Sequence, residues 1–148
     1  MPEIKVAIVV FYDKEGNVFV QERGKDVSKT GEKYGFWGGR IEKRETPKQA
    51  LKRELKEELE FVPKKLDFFG IFSYKLIPLK RKTVCSLGQK AKCWIFLSPV
   101  NRDLSKVKIK EGKGMLKMKI DKVIKGKGFP IGSVEFVKKV KKQLYGKD

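Results

Sequence analysis

The 148-residue chain contains no histidine. That absence removes the Ser-His-Asp triad, the Cys-His pair and His-ligated zinc from the chemistries open to it. Acid, base and metal-ligand work must fall to carboxylates, lysines, tyrosines or the two thiols. Oxygen ligands of that kind favour hard cations such as Mg²⁺ or Mn²⁺. Cysteine is scarce as well: Cys85 and Cys93 sit in what reads as one hairpin. The first twelve residues show no secretory cleavage region, so both thiols are expected to be reduced. No apolar run approaches the length needed to span a bilayer. The expected compartment is the cytoplasm, with no membrane partner.

Acidic residues are in deficit, 18 against 36 basic ones, which leaves a formal net charge of +18. Residues 104–148 hold 14 Lys and only 4 acids. A field of that sign attracts polyanions such as nucleotides, RNA or an anionic membrane. It equally fits a lysine-rich, solvated surface. Charge alone names no substrate. The apolar fraction, 40% with ten Phe, is enough for a sizeable core, and the length suits one domain over residues 1–148.

Along the chain, Ile4–Tyr12 and Val18–Glu22 read as strands joined by the turn Asp13-Lys14-Glu15-Gly16-Asn17. Residues 24–35 are polar and without period, which marks a loop. Phe36-Trp37-Gly38-Gly39 predicts a short strand running into a glycine turn. A helix is expected from Pro47 to about Leu59, with Thr46 as N-cap, and Pro63 forces its end. Leu66–Ile77 and Ala91–Leu97 read as strands flanking the basic linker Lys80-Arg81-Lys82. Val107–Ile109 and Met115–Ile120 are weaker strand signals. Ser133–Leu144 predicts a closing amphipathic helix. A mixed sheet with mostly antiparallel neighbours, covered by helices, is the architecture this order favours.

The segment with chemical content runs from Gly38 to Glu58. On a helix, Glu54, Glu57 and Glu58 fall within a sector about 100° wide, beside an apolar stripe of Leu51, Leu55 and Leu59. Three like charges on adjacent turns repel unless a positive group sits between them. A divalent cation is one answer, and pairing with neighbouring lysines on a solvated face is the other.

The spacing narrows the choice. Gly39 is followed after five residues by Glu45, and after seven more by Arg53-Glu54-Leu55-Lys56-Glu57-Glu58-Leu59-Glu60-Phe61. This 23-residue stretch resembles the Nudix signature at eight of nine specified positions. Chance agreement at one start site is on the order of one in ten million, which makes the register a strong signal. The resemblance implies an α/β fold of the Nudix α/β/α sandwich type and hydrolysis of a diphosphate linkage with Mg²⁺ or Mn²⁺. By position, Glu54, Glu57 and Glu58 match the family's metal-binding carboxylates, and the Gly38 carbonyl matches a further ligand. Glu45 matches a supporting carboxylate, and Arg53 an arginine that orients the helix carboxylates. Glu111, in an Glu-Gly loop, matches a base that some members place opposite the helix. It equally opens a glycine turn. Arg23 and Gly39 fall on the substrate side.

The implied partner is a nucleotide or another diphosphate-containing substrate, with RNA as a further candidate. Nucleoside triphosphate pyrophosphohydrolysis is the leading expectation. An RNA 5′ pyrophosphohydrolase, a dinucleoside polyphosphate hydrolase or a low-turnover RNA-binding module are alternatives favoured by the basic C-terminal third. Phe36, Trp37, Phe72, Tyr74 and Trp94 are candidate stacking surfaces for a base, though each fits a core position better. The chain departs from the family pattern at Glu60, where Gly is usual, at Trp37, where Pro is frequent, and at Lys43-Arg44, where a Pro/Gly-type turn is usual.

Overall fold

The computed structural model describes residues 3–22, 34–59, 61–75, 90–101, 104, 114–125, 129 and 133–146. Its strands are β1 (Ile4–Tyr12), β2 (Asn17–Glu22), β3 (Tyr34–Gly35), β4 (Trp37–Arg40), β5 (Asp67–Lys75), β6 (Lys90–Pro99) and β7 (Gly114–Lys119). Its helices are α1 (Pro47–Glu58), α2 (Ile120–Lys125) and α3 (Ser133–Tyr145).

The seven strands form one sheet with the path β3-β2-β1-β6-β5, while β4 also pairs with β1 and β7 with β2. β1 is central. It runs parallel to β6 from Ile4↔Ala91 to Tyr12↔Pro99. Every other pairing is antiparallel, so the expected mixed sheet is present.

Alternation along β1 dictates the two layers. Ala7, Val9 and Phe11 join Trp37, Phe96, Leu51, Leu55 and Leu59 in the core beneath α1. Val10 joins Ile95, Leu97, Ile120, Val123, Phe136, Val137 and Val140 in a second core beneath α2 and α3. A strand that buries both faces loses the apolar-polar alternation of a surface strand, which is why IKVAIVVFY is so uniformly apolar.

Local signals set the ends of α1. The Thr46 side chain accepts from the Gln49 backbone N–H at 3.1 Å, and the Gln49 side chain accepts from the Thr46 N–H at 2.9 Å. This capping box satisfies two of the amides that a helix start leaves open. The helix stops at Glu58, and Leu59 departs in an extended conformation. β5 is described from Asp67 to Lys75, and Leu76 and Ile77 lie outside the described residues. The second helix, α2, begins at Ile120, which the sequence reading assigns to a strand. The Cys93 thiol is free and buried, and burial pushes its pKa up to about 12. Cys85, the linker 80–82 and the weak strand at 107–109 lie outside the described residues. Among those described, no helix is long and apolar enough to cross a membrane.

Candidate active site

β4 lays Trp37-Gly38-Gly39-Arg40 against Val9-Ile8-Ala7-Val6 of β1, and two glycines there are required sterically. Gly38 has φ +146°, and a Cβ on it would run into the Ala7 carbonyl oxygen and come within 2.8 Å of Ile8 Cα. Gly39 lies directly beneath the Glu54 carboxylate: a Cβ there would sit 2.7 Å from Oε1 and 2.8 Å from Oε2. The glycine pair thus brings bare backbone against a charged oxygen group.

A turn connects this strand to α1. Its Glu45 N–H donates to the Glu42 carbonyl at 3.1 Å, and the Glu42 N–H donates to Glu45 Oε1 at 2.9 Å. Arg44 sits in the turn with φ +69°. An L-residue with a side chain pays about 1 kcal/mol in that region. Replacing Arg44 by Gly is therefore expected to stabilise the fold by about 0.5–1 kcal/mol, measurable by urea unfolding.

Arg53 is the hub. Its Nε and Nη2 donate to the two oxygens of Glu45 at 2.7 and 3.0 Å, a bidentate fork. Nη1 donates to Glu54 Oε1 at 2.9 Å and lies 3.6 Å from Glu57 Oε1, while Nη2 donates to the Arg40 carbonyl at 3.0 Å. One guanidinium thereby ties the turn, the glycine strand and two helix carboxylates together, a task suited to its planar array of donors. Hydrogen bonding to Glu45 raises the Arg53 pKa further, so it stays charged. The Arg53 hydrogen bond, then the Glu42 N–H, hold the Glu45 carboxyl below its usual 4.5. A depressed carboxyl contributes stability above its unfolded pKa and loses it as pH falls through the folded one. Glu45→Gln is expected to be less stable than the parent at neutral pH and to show a flatter decline below pH 4.5, as read from melting temperature across pH.

The three helix carboxylates differ in environment. Glu57 is exposed, Glu54 is 21% exposed and Glu58 is buried on the side of α1 that carries Leu51 and Leu55. Helical spacing sets three carboxylates on one side of α1, and Arg53 reaches two of them, Glu54 and Glu57. Among the described residues no three acidic groups are gathered tightly enough to form a ready cation site. The donor set itself, carboxylate oxygens beside the backbone of Gly38 and Gly39, suits a hard divalent cation.

Strand register sorts the aromatic candidates. Trp37 is fully buried under α1, and half-buried Trp94 packs on the same side with Lys92 Nζ 5.2 Å from its ring centroid. Phe36 and Phe72 are half-buried on the opposite face, each against Phe136, with ring centroids 5.4 and 5.9 Å apart. Arg23, Glu60 and Glu111, and the side chain of Tyr74, lie outside the described residues.

The NUDIX domain model matches residues 1–123. The chain belongs to the Nudix family. Among curated proteins, it is 45% identical to the 8-oxo-dGTP diphosphatase of Proteus vulgaris over 60 residues, 38% of this chain and 50% of that protein. It is 32% identical to the 8-oxo-dGTP diphosphatase of Escherichia coli (strain K12) over 75 residues, 51% of this chain and 57% of that one. The chain thus spans about half the length of the curated relatives it matches. Among solved structures, the MutT protein from Methanosarcina mazei Go1 superposes with a TM-score of 0.72 at 18% identity, covering 97% of this chain and 96% of that one. The E. coli ORF135 protein gives 0.69 at 16% identity, covering 100% and 96%. At those identities the likeness establishes the Nudix fold.

Proposed function

We propose that this Nudix domain is a metal-dependent hydrolase of nucleoside diphosphate-linked substrates, acting as a nucleoside triphosphate pyrophosphohydrolase. The observation that carries the reading is the Arg53 fork, which holds Glu45 while placing Glu54 against the bare backbone of Gly39. In this reading Glu54, Glu57, Glu58 and the Gly38 carbonyl hold Mg²⁺ or Mn²⁺. When bound, the cation offsets charge developing on the phosphate oxygens and lowers the pKa of the attacking water. Glu45 and Arg53 keep the helix carboxylates oriented, so little reorganisation is needed as charge develops. The water oxygen attacks phosphorus, the bridging P–O bond breaks, and the water proton passes to a carboxylate, Glu57 or Glu111. A triphosphate then yields a nucleoside monophosphate and pyrophosphate. Arg23 contacts substrate phosphate. The curated relatives, both named 8-oxo-dGTP diphosphatases, favour a triphosphate over a nucleotide sugar or dinucleotide.

The test is a panel of triphosphates, oxidised triphosphates, dinucleoside polyphosphates, nucleotide sugars and 5′-triphosphorylated RNA, each with Mg²⁺, Mn²⁺ or EDTA. Pyrophosphate release from triphosphates that requires metal and collapses in Glu58→Gln supports the reading. Absence of turnover on every substrate, with RNA binding that survives EDTA, would replace it with a binding module.

A further inference from the structure

The surface farthest in character from the carboxylate site is the outer side of α2 and α3, on the face of the sheet opposite α1. A groove of about 420 Å³ runs between the two helices. Five lysines line it: Lys125 from α2, and Lys138, Lys139, Lys141 and Lys142 from α3. Two acids, Asp121 and Glu135, also border it. Asp121 is engaged by Lys141 at 2.5 Å, which holds its carboxyl below the usual range. Glu135 sits in the first turn of α3, where the helix dipole favours a negative charge. Lys125, Lys138, Lys139 and Lys142 are exposed, and the Lys139 ammonium lies 5.3 Å from the Phe72 ring centroid. The apolar side of α3, with Phe136, Val137 and Val140, is spent on the core.

We propose that this groove binds the phosphodiester backbone of a single-stranded nucleic acid. Three features fix that class. Lysines on both walls of a concave groove match a chain of phosphates, whose capture releases condensed counterions. A cleft between two packed helices admits one strand but not a duplex, whose grooves and twin backbones need a broader surface. A bilayer surface is disfavoured, since interfacial binding needs apolar side chains to insert beside the cations. Among the described residues, the large apolar side chains that are exposed, Phe68 and Ile71, lie on β5 and outside the groove, and Ile124, which lines it, is half-buried against the core. The site is separate from the diphosphate reaction and does not depend on it.

The experiment measures fluorescence anisotropy of a labelled single-stranded oligouridylate across a range of KCl concentrations. Wild type is compared with a groove variant carrying Lys125→Gln, Lys138→Gln, Lys139→Gln and Lys142→Gln. A control of equal net charge carries Lys14→Gln, Lys48→Gln, Lys64→Gln and Lys117→Gln, all at exposed positions outside the groove. Circular dichroism verifies that each folds. The groove variant is expected to lose affinity at least about tenfold, with the slope of log K against log salt shallower by about 2–3. The control keeps most of both. Equal losses in the two variants, an unchanged groove variant, or lysine-dependent binding to phosphatidylserine vesicles without RNA binding would each overturn the proposal.

Discussion

Replacing Glu54 by Gln is expected to lower kcat by about 10²–10³-fold, the scale lost when one preorganised electrostatic group is removed from a reacting centre. The substitution keeps the shape that fills the space over Gly39 and removes only the charge. Arg53 retains its two bonds to Glu45 at 2.7 and 3.0 Å and its bond to the Arg40 carbonyl at 3.0 Å. The turn and α1 therefore stay in place, and the melting temperature should move little. Steady-state kinetics in saturating Mg²⁺ beside a thermal melt separate the two effects. Unchanged turnover in a well-folded variant would remove Glu54 from the reaction. A fall in both quantities would mean that it acts through stability.

The second large effect is on stability. Trp37→Ala is expected to cost about 3–5 kcal/mol, the range for deleting a large buried aromatic side chain. Trp37 is fully buried on β4, opposite Val9 in register, and shares a core with Phe11, Leu51, Leu55 and Phe96. Its Nε1–H finds no acceptor among the described residues. An unmet buried donor carries a desolvation cost of about 1–3 kcal/mol. Trp37→Phe, which removes that donor and keeps most of the ring, should therefore cost much less than the alanine change. Urea unfolding distinguishes the cases: equal losses for Phe and Ala would show that the indole N–H is satisfied after all.

Several parts of this molecule were legible from the chain because their causes are local. The Thr46-Pro47-x-Gln49 start of α1 is written in four adjacent residues, and Gly39 to Phe61 carries its register without reference to the rest. β1 and β2 announce themselves through their apolar runs and the turn between them. The missing pieces have causes that span the chain. α2 is only six residues long, too short to show a helical period, and its first residue continues the apolar pattern of β7. That Phe36 and Phe72 share one face while Trp37 and Trp94 share the other follows from strand pairing between residues tens of positions apart. The resemblance implied that Arg53 orients the helix carboxylates, but its bidentate hold on Glu45 depends on side-chain direction, which spacing on a helical wheel does not specify.

In the proposed reaction these oxygen groups hold a divalent cation at the diphosphate. The most direct test is electron paramagnetic resonance of Mn²⁺ titrated into the protein with a non-hydrolysable nucleoside triphosphate analogue. Wild type is expected to bind Mn²⁺, and the double variant Glu54→Gln, Glu58→Gln to lose that binding while remaining folded. Binding of equal strength in both proteins, or none in the wild type with the analogue present, would contradict the account.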